Sequence, residues 1–278
     1  IPELQRMQET LFNEKRKIIE NCLFGVDINP NSVNICRLRL WIELLKHSYY
    51  TKESGYTHLE TLPNIDINIK CGNSLISRFD THGLSSVAPG DRKRFANLVG
   101  EYKDKVRRYK ASPSQKPQVL DEIDKLKTEF EEFAVPGDKD YENFLEKKKQ
   151  VPQLFLLSDD QQFRGMAADL AKEYTAAENK WDEKRRTLFS QAFEWRFEFP
   201  EVLNDDGEFV GFDIVMANPP YIRVQNLAHE FVDLYKQLWL TAWKRVDVST
   251  LFMELAMRLC RPNGVTVFIS SNQFLTTE

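Results

Sequence analysis

The stretch Phe212-Asp213-Ile214-Val215-Met216-Ala217 is an apolar run, and Asn218-Pro219-Pro220-Tyr221 follows it at once. No other feature of the chain restricts the fold as much. The run predicts a strand buried in a parallel sheet, because its apolar residues are nearly continuous. Neither proline has an N–H to give to a ladder. Pairing must stop there, and a stiff loop must leave the carboxyl end of the strand. Open α/β sheets bind their ligands outside those carboxyl ends. The corner therefore sets the Asn218 side-chain oxygen beside a backbone carbonyl, that of Pro219 or Pro220, at a ligand-binding edge.

Two acceptors so placed suit an amino group attached to a planar ring. The lone pair of such a nitrogen is delocalised, which makes it a poor nucleophile. Hydrogen bonds to both of its N–H protons favour a more pyramidal nitrogen and aim the lone pair at an electrophilic methyl. Positioning and electrostatics supply that catalysis without a strong base. Tyr221 offers a flat face for an extruded base, a stacking contact of about 1–3 kcal/mol.

The same α/β signature recurs upstream. Residues 2–20 read as a polar helix with apolar points at Leu4, Met7, Leu11, Ile18 and Ile19, and Cys22 to Asp27 reads as a buried strand. Asn29-Pro30 has the chemistry of a helix cap and first turn. It opens a helix whose broad apolar face holds Val33, Leu38, Leu40, Trp41, Leu44 and Leu45. Ile65 to Ile69 predicts the next strand, running into Cys71-Gly72-Asn73-Ser74-Leu75. Helix, strand, helix, strand points to a parallel sheet. Asp27, at a strand tip, can accept both hydroxyl hydrogens of a ribose, with Ile28 against an adenine ring. Asn73 can bond an adenine amino group, with the Ser74 or Leu75 backbone against the ring. Turn and cap chemistry is the competing account of Asp27 and of Asn73.

From about Pro89 to Asp182 the composition turns rich in Lys, Glu and Arg, with helices expected over 92–110 and 116–133. A solvated helical hairpin is one reading. A nucleic-acid face built on Arg92, Lys93, Arg94, Lys105, Arg107, Arg108 and Lys110 is the other. Beyond it, Phe193, Trp195, Phe197 and Phe199 alternate with polar residues, as a strand or extended segment with one buried face would. Asn204 to Gly207 reads as a turn, 251–259 as an apolar helix and 265–270 as the last strand.

A net charge of -4 excludes a uniformly basic surface but not a local phosphate-binding patch. The cysteines Cys22, Cys36, Cys71 and Cys260 form no C-x-x-C pair, and the four histidines are scattered. Neither a zinc site nor a disulfide framework is expected, and a reducing cytoplasm fits. No apolar run reaches the roughly 18 residues of a membrane span. None of the 11 glycines lies two residues from another, so no G-x-G loop is present. A cofactor domain of this type needs such a loop after its first strand, and both are expected upstream of Ile1.

Taken in order, these segments resemble the γ-type arrangement of DNA adenine-N6 methyltransferases. They are most similar to the Eco57I-like methylases of type II (IIG) restriction-modification enzymes and the related phage-exclusion methylases. The carrying residues are Phe24–Pro30 with Arg37–Trp41, Gly72–Leu75, Phe193–Val202, Gly211–Tyr221, Leu251–Ala256, and Gly264 through Leu275. The resemblance implies a truncated Rossmann-like sheet that uses S-adenosylmethionine and needs no metal. Residues 1–80 would form the cofactor side, 81–190 a helical insertion and 191–278 the target-adenine side. It assigns Asp27, Ile28, Asn73, Ser74, Leu75 and Asn218 to the cofactor and Asn218, Pro219, Pro220 and Tyr221 to the target adenine. The implied partner is duplex DNA, held through a target-recognition domain that follows in the family, with a fused or associated nuclease and no membrane. Residues 1–278 alone are then expected to turn over weakly or not at all. Glutamine-N5 methylation of a protein, or a non-catalytic DNA-binding scaffold, are the competing readings.

Overall fold

Asn68 shows why the first strands start where they do. Helix α1 (Pro2–Cys22) runs past the expected end, and its final carbonyls need partners. The buried Asn68 side chain supplies them, donating to the carbonyls of Glu20 at 2.9 Å and Leu23 at 3.1 Å. Only Gly25–Asp27 is then left to form β1. The segment expected as a strand at 65–69 instead turns back on itself, with Asn68 and Ile69 donating to the Ile65 carbonyl. Strand β2 is Ile69–Cys71, paired in parallel with β1 in the register Gly25–Ile69, Val26–Lys70, Asp27–Cys71. This computed structural model describes residues 2–77, 87, 89–111, 116–131, 139–158, 164–243 and 247–270.

Between the two strands lies α2 (Pro30–Leu45), capped by the Asn29 side chain, which accepts from the Asn31 N–H at 2.9 Å. Phe12 and Ile19 of α1 pack with Leu44 and Ile65. Leu4, Met7, Leu11 and Ile18, the stripe legible in the sequence, stay exposed, as do Leu38 and Leu45 of α2.

A second parallel pair joins β3 (Phe212–Ala217) to β4 (Cys260–Phe268), with a register shift between Phe212 and Ile214. The shift makes room for Pro262-Asn263-Gly264, where Asn263 takes a positive φ of 66°. Helices α8 (His229–Leu238) and α9 (Val248–Leu259) connect the two strands, and Leu251, Leu255 and Leu259 of α9 are buried in the main core. In this register Ile214, Met216, Val265 and Val267 share one sheet face, and all four are exposed. Among the described residues the strands form two parallel pairs and not one continuous sheet. The fold is therefore mixed α/β with small parallel sheets.

The charged stretch supplies α3 (Arg92–Ala111), α4 (Lys116–Glu131), α5 (Lys139–Ser158) and α6 (Arg164–Thr187). Helices α3 and α4 enter the main core through Phe95, Tyr102, Val106, Tyr109, Val119, Ile123 and Leu126. Lys127 of α4 and Lys70 of β2 both bond the Glu198 carboxylate, at 2.9 Å and 2.6 Å. Two cations around one buried anion leave a surplus positive charge. Burial accordingly pulls the Lys70 ammonium down to about 8. Burial also opposes the charged form of Glu198, but the two ammoniums win and hold it at about 2.

The basic residues considered for a nucleic-acid face are largely engaged. Lys105 pairs with Glu122, Arg107 with Asp104 and Lys110 with Glu201. Those partners favour the structural reading of α3 over the nucleic-acid one.

The segment 193–199 is not a strand. Trp195–Glu198 is a one-turn helix, α7, followed by a 3-10 turn at Pro200–Val202. Its alternation is misleading because both parities are buried. Phe193, Phe197 and Phe199 join the core, and so do Glu194 and Arg196. Arg196 is reconciled with burial by donating to the Gly207 carbonyl at 2.6 Å and lying over the Phe95 ring.

Candidate cofactor and target-base site

The double-proline corner leaves β3 as its sequence demands. Pro219 is buried and anchors the loop, while Asn218, Pro220 and Tyr221 are exposed. The Asn218 side chain makes no hydrogen bond among the described residues, so its amide oxygen is available to a ligand. The Tyr221 hydroxyl donates to the Ile269 carbonyl at 3.0 Å, just past β4, which fixes the ring beside the corner. The loop continues into Ile222, whose carbonyl accepts from Val248, and Arg223, which bridges to Asp247. Asp247 caps α9, accepting from the Ser249 N–H.

On the β1–β2 pair, Asp27 is exposed and lies in register with Cys71. One carboxylate oxygen, Oδ1, accepts from the Asn29 N–H at 2.7 Å and so belongs to the helix entry. Oδ2 remains open to a hydroxyl. Ile28 is 54% exposed, an unusual state for a large aliphatic side chain beside a carboxylate, and it leaves an apolar surface free for a flat ring.

The loop Gly72–Leu75 is gripped from within. A Cβ on Gly72 would meet Phe193 Cδ2 at 2.9 Å, so only glycine lets the loop lie against that ring. The Asn73 N–H donates to the Gln191 carbonyl at 2.6 Å, and its Oδ1 accepts from the Leu75 N–H at 3.1 Å. Asn73 Nδ2 reaches the Tyr235 hydroxyl at 3.5 Å, a weak contact. Trp195 donates to the Ser74 carbonyl at 3.2 Å, and Trp239 to the Leu75 carbonyl at 3.0 Å. Leu75 itself is buried in the core.

The Asn73–Tyr235 contact brings the loop after β2 close to α8, which follows the corner after β3. At the other end of the strands, the Phe24 and Phe212 rings meet with centroids 5.6 Å apart. The two parallel pairs thus meet through Phe24 and Phe212 near their amino ends, and through Asn73 and Tyr235 past the end of β2. No group of His, Cys, Asp and Glu among the described residues is placed to hold a metal ion. No described helix is long and apolar enough to cross a membrane.

A family model of Eco57I restriction-modification methylases matches residues 21–278. The chain belongs to that family. It is similar to a putative type II restriction enzyme and methyltransferase of Methanocaldococcus jannaschii, 24% identical over 98% of this chain and 24% of that protein. A type II restriction enzyme and methyltransferase of Escherichia coli is 29% identical over 50% of this chain and 14% of its own length. A type II methyltransferase of Geobacillus stearothermophilus is 30% identical over 25% of this chain and 12% of its own. The chain thus spans about a quarter or less of the curated relatives it matches. No solved structure matches it.

Within this Eco57I-family chain, sequence reasoning put Asn218, Tyr221, Asp27 and Ile28 at strand ends, and all four are exposed. It missed the bracing of the Asn73 loop by Phe193, Trp195, Tyr235 and Trp239. The sequence separations, 121 residues for Trp195 and 164 for Trp239, leave no local signal for those bonds. The glycine at 72, in a loop otherwise able to carry any small residue, was the one available hint of close approach.

Proposed function

We propose that this chain is the catalytic core of an S-adenosylmethionine-dependent DNA methyltransferase that modifies adenine at N6 in duplex DNA. The observation that carries the reading is the exposed Asn218 amide, without a partner among the described residues, on a loop anchored by buried Pro219 and beside the tethered Tyr221 ring. Bound S-adenosylmethionine supplies the electrophilic methyl group. Asp27 Oδ2 would hold its ribose hydroxyls, the exposed Ile28 its adenine face, and the Asn73 loop its adenine edge. Asn218 and a proline carbonyl would take the two N6 hydrogens of the extruded base, which stacks on Tyr221. The nitrogen would gain the methyl carbon as that carbon's bond to the cofactor sulfur breaks, leaving S-adenosylhomocysteine, and its surplus proton would leave to water.

A Rossmann-like sheet is part of the proposal. The outer edges of β1 and β3 have no ladder partner among the described residues. Their starts are joined by Phe24 and Phe212. A single strand between them would hold its neighbours about 9.6 Å apart, twice the usual spacing, a width that two facing aromatic rings bridge. The strand with the Gly-rich loop expected from the resemblance suits that slot. Recognition of a DNA sequence, and any nuclease, belong in this reading to other parts of the polypeptide.

The test is methyl transfer by the full-length natural protein, with labelled cofactor and duplex DNA. Asn218→Ala is expected to lower kcat by about 100-fold or more, the scale for losing one preorganised hydrogen-bonding group. Label on cytosine, on protein glutamine, or unchanged in the Asn218→Ala variant would defeat the reading.

A further inference from the structure

The loop proposed to meet the cofactor adenine is locked with unusual completeness, and the lock depends on two tryptophans from distant parts of the chain. The peptide plane between Ser74 and Leu75 is held at both edges. Its carbonyl accepts from the Trp195 indole, and its N–H donates to Asn73 Oδ1. The next plane, Leu75 to Ile76, is held the same way. Its carbonyl accepts from the Trp239 indole, and the Ile76 N–H donates to the Asn73 carbonyl at 3.1 Å. Asn73 is thereby fixed at both its main chain and its side chain.

Trp239 is itself immobilised. The Arg258 guanidinium lies over its ring at 4.6 Å and donates to the Leu238 carbonyl at 3.3 Å. Arg258 also pairs with Glu254, whose carboxylate accepts from the Leu240 and Thr241 N–H groups and from the Thr241 hydroxyl. A ring so held gives its N–H a fixed direction. That is more than packing alone requires, because a phenylalanine would fill much of the same volume.

We infer that Trp195 and Trp239 are positioning residues for the cofactor: their indole N–H groups preset the Asn73 loop in the geometry that binds the adenine end. The inference rests on the reading of that loop as cofactor-binding. It assigns the two indoles to binding and not to the chemical step. Arg258 acts on the loop only through Trp239. Preorganisation of this kind lowers the ordering cost of binding and appears in affinity.

The experiment uses the full-length natural protein and removes the N–H while keeping the shape. One form carries 3-benzothienylalanine, a sulfur isostere of tryptophan, at position 239. Others are Trp239→Phe, Trp195→Phe and Arg258→Met. Each is assayed for the KM of S-adenosylmethionine and for kcat, and the Kd of S-adenosylhomocysteine is measured by calorimetric titration. Loss of one such bond is expected to raise KM and Kd about 5-fold. Expected alongside is a kcat within about twofold, with KM and Kd read well below the melting temperature of each form. Arg258→Met is expected to raise KM alone but to add nothing on the isostere background, as for residues acting in series. Unchanged KM and Kd in the isostere form of a working enzyme overturn the inference. So does a loss confined to kcat or to melting temperature. Unmodified protein that neither methylates DNA nor binds S-adenosylhomocysteine sinks the cofactor reading as well, and that control is read before any variant.

Discussion

Helices α3 and α4 and helices α5 and α6 come from one charged stretch of similar composition, yet they relate to the rest of the molecule in opposite ways. The first pair puts Phe95, Leu98, Val99, Tyr102, Val106, Tyr109, Val119, Ile123 and Leu126 into the main core. It is also clamped by lysines: Lys103 to the Leu203 carbonyl, Lys110 to Glu201 and Lys127 to Glu198. The second pair packs chiefly on itself, through Tyr141 against Trp181, Phe144 near Tyr174, and the ion pairs Asp140–Lys180 and Lys147–Glu173. Among the described residues it meets the core just past the end of α6, where Leu188 is buried and Phe189 packs against Trp181. Density of charge along a helix therefore says little about whether that helix is peripheral. What decides is whether its apolar stripe carries aromatic bulk with somewhere to go.

The comparison breaks most visibly on deletion. Replacing 139–187 by a short Gly-Ser linker should leave a cooperative thermal transition, whereas replacing 92–131 in the same way should abolish it. Calorimetry on the two proteins decides, and equal tolerance of both deletions would erase the distinction.

A smaller effect comes from Glu198→Gln, which strands Lys70 and Lys127 without their anion. It should cost about 3–5 kcal/mol in urea unfolding, the usual scale for breaking a buried pair. The pH dependence has a definite sign. The folded carboxyl titrates at about 2 against an ordinary 4.5. Its stabilisation is therefore complete above the ordinary value and is lost as pH falls from there towards 2. The variant should lack that portion of the acid slope, and an identical slope would remove Glu198 from the account.

The smallest global effect belongs to Trp181→Ala. Its cost should appear as faster amide exchange within α5 and α6, with the main unfolding transition shifted little. A full-sized loss of global stability would show that the hairpin is as integral as α3 and α4.

Helix α9 could be read only from 251, and its first turn, behind the Asp247 cap, was missed. Strand β3 could be read from the chain nearly to the residue, because it carries its own stop at Asn218-Pro219-Pro220. Strand β2 could not. Its start is set by Asn68, a polar residue buried for the sake of a helix end more than 45 residues away. The segment 193–199 defeated pattern reading because a buried Arg196 and Glu194 imitate the outward positions of a strand. At the site, exposure at strand tips was legible, since turn chemistry and charge mark it locally. The inner support of the Asn73 loop was not, since it comes from side chains that only the folded chain brings near.

The bare aliphatic face of the β3–β4 pair has a practical consequence. Ile214, Met216, Val265 and Val267 offer water an oily, nearly flat plate. Residues 1–278 purified alone should self-associate as concentration rises, and mild detergent should disperse the clusters.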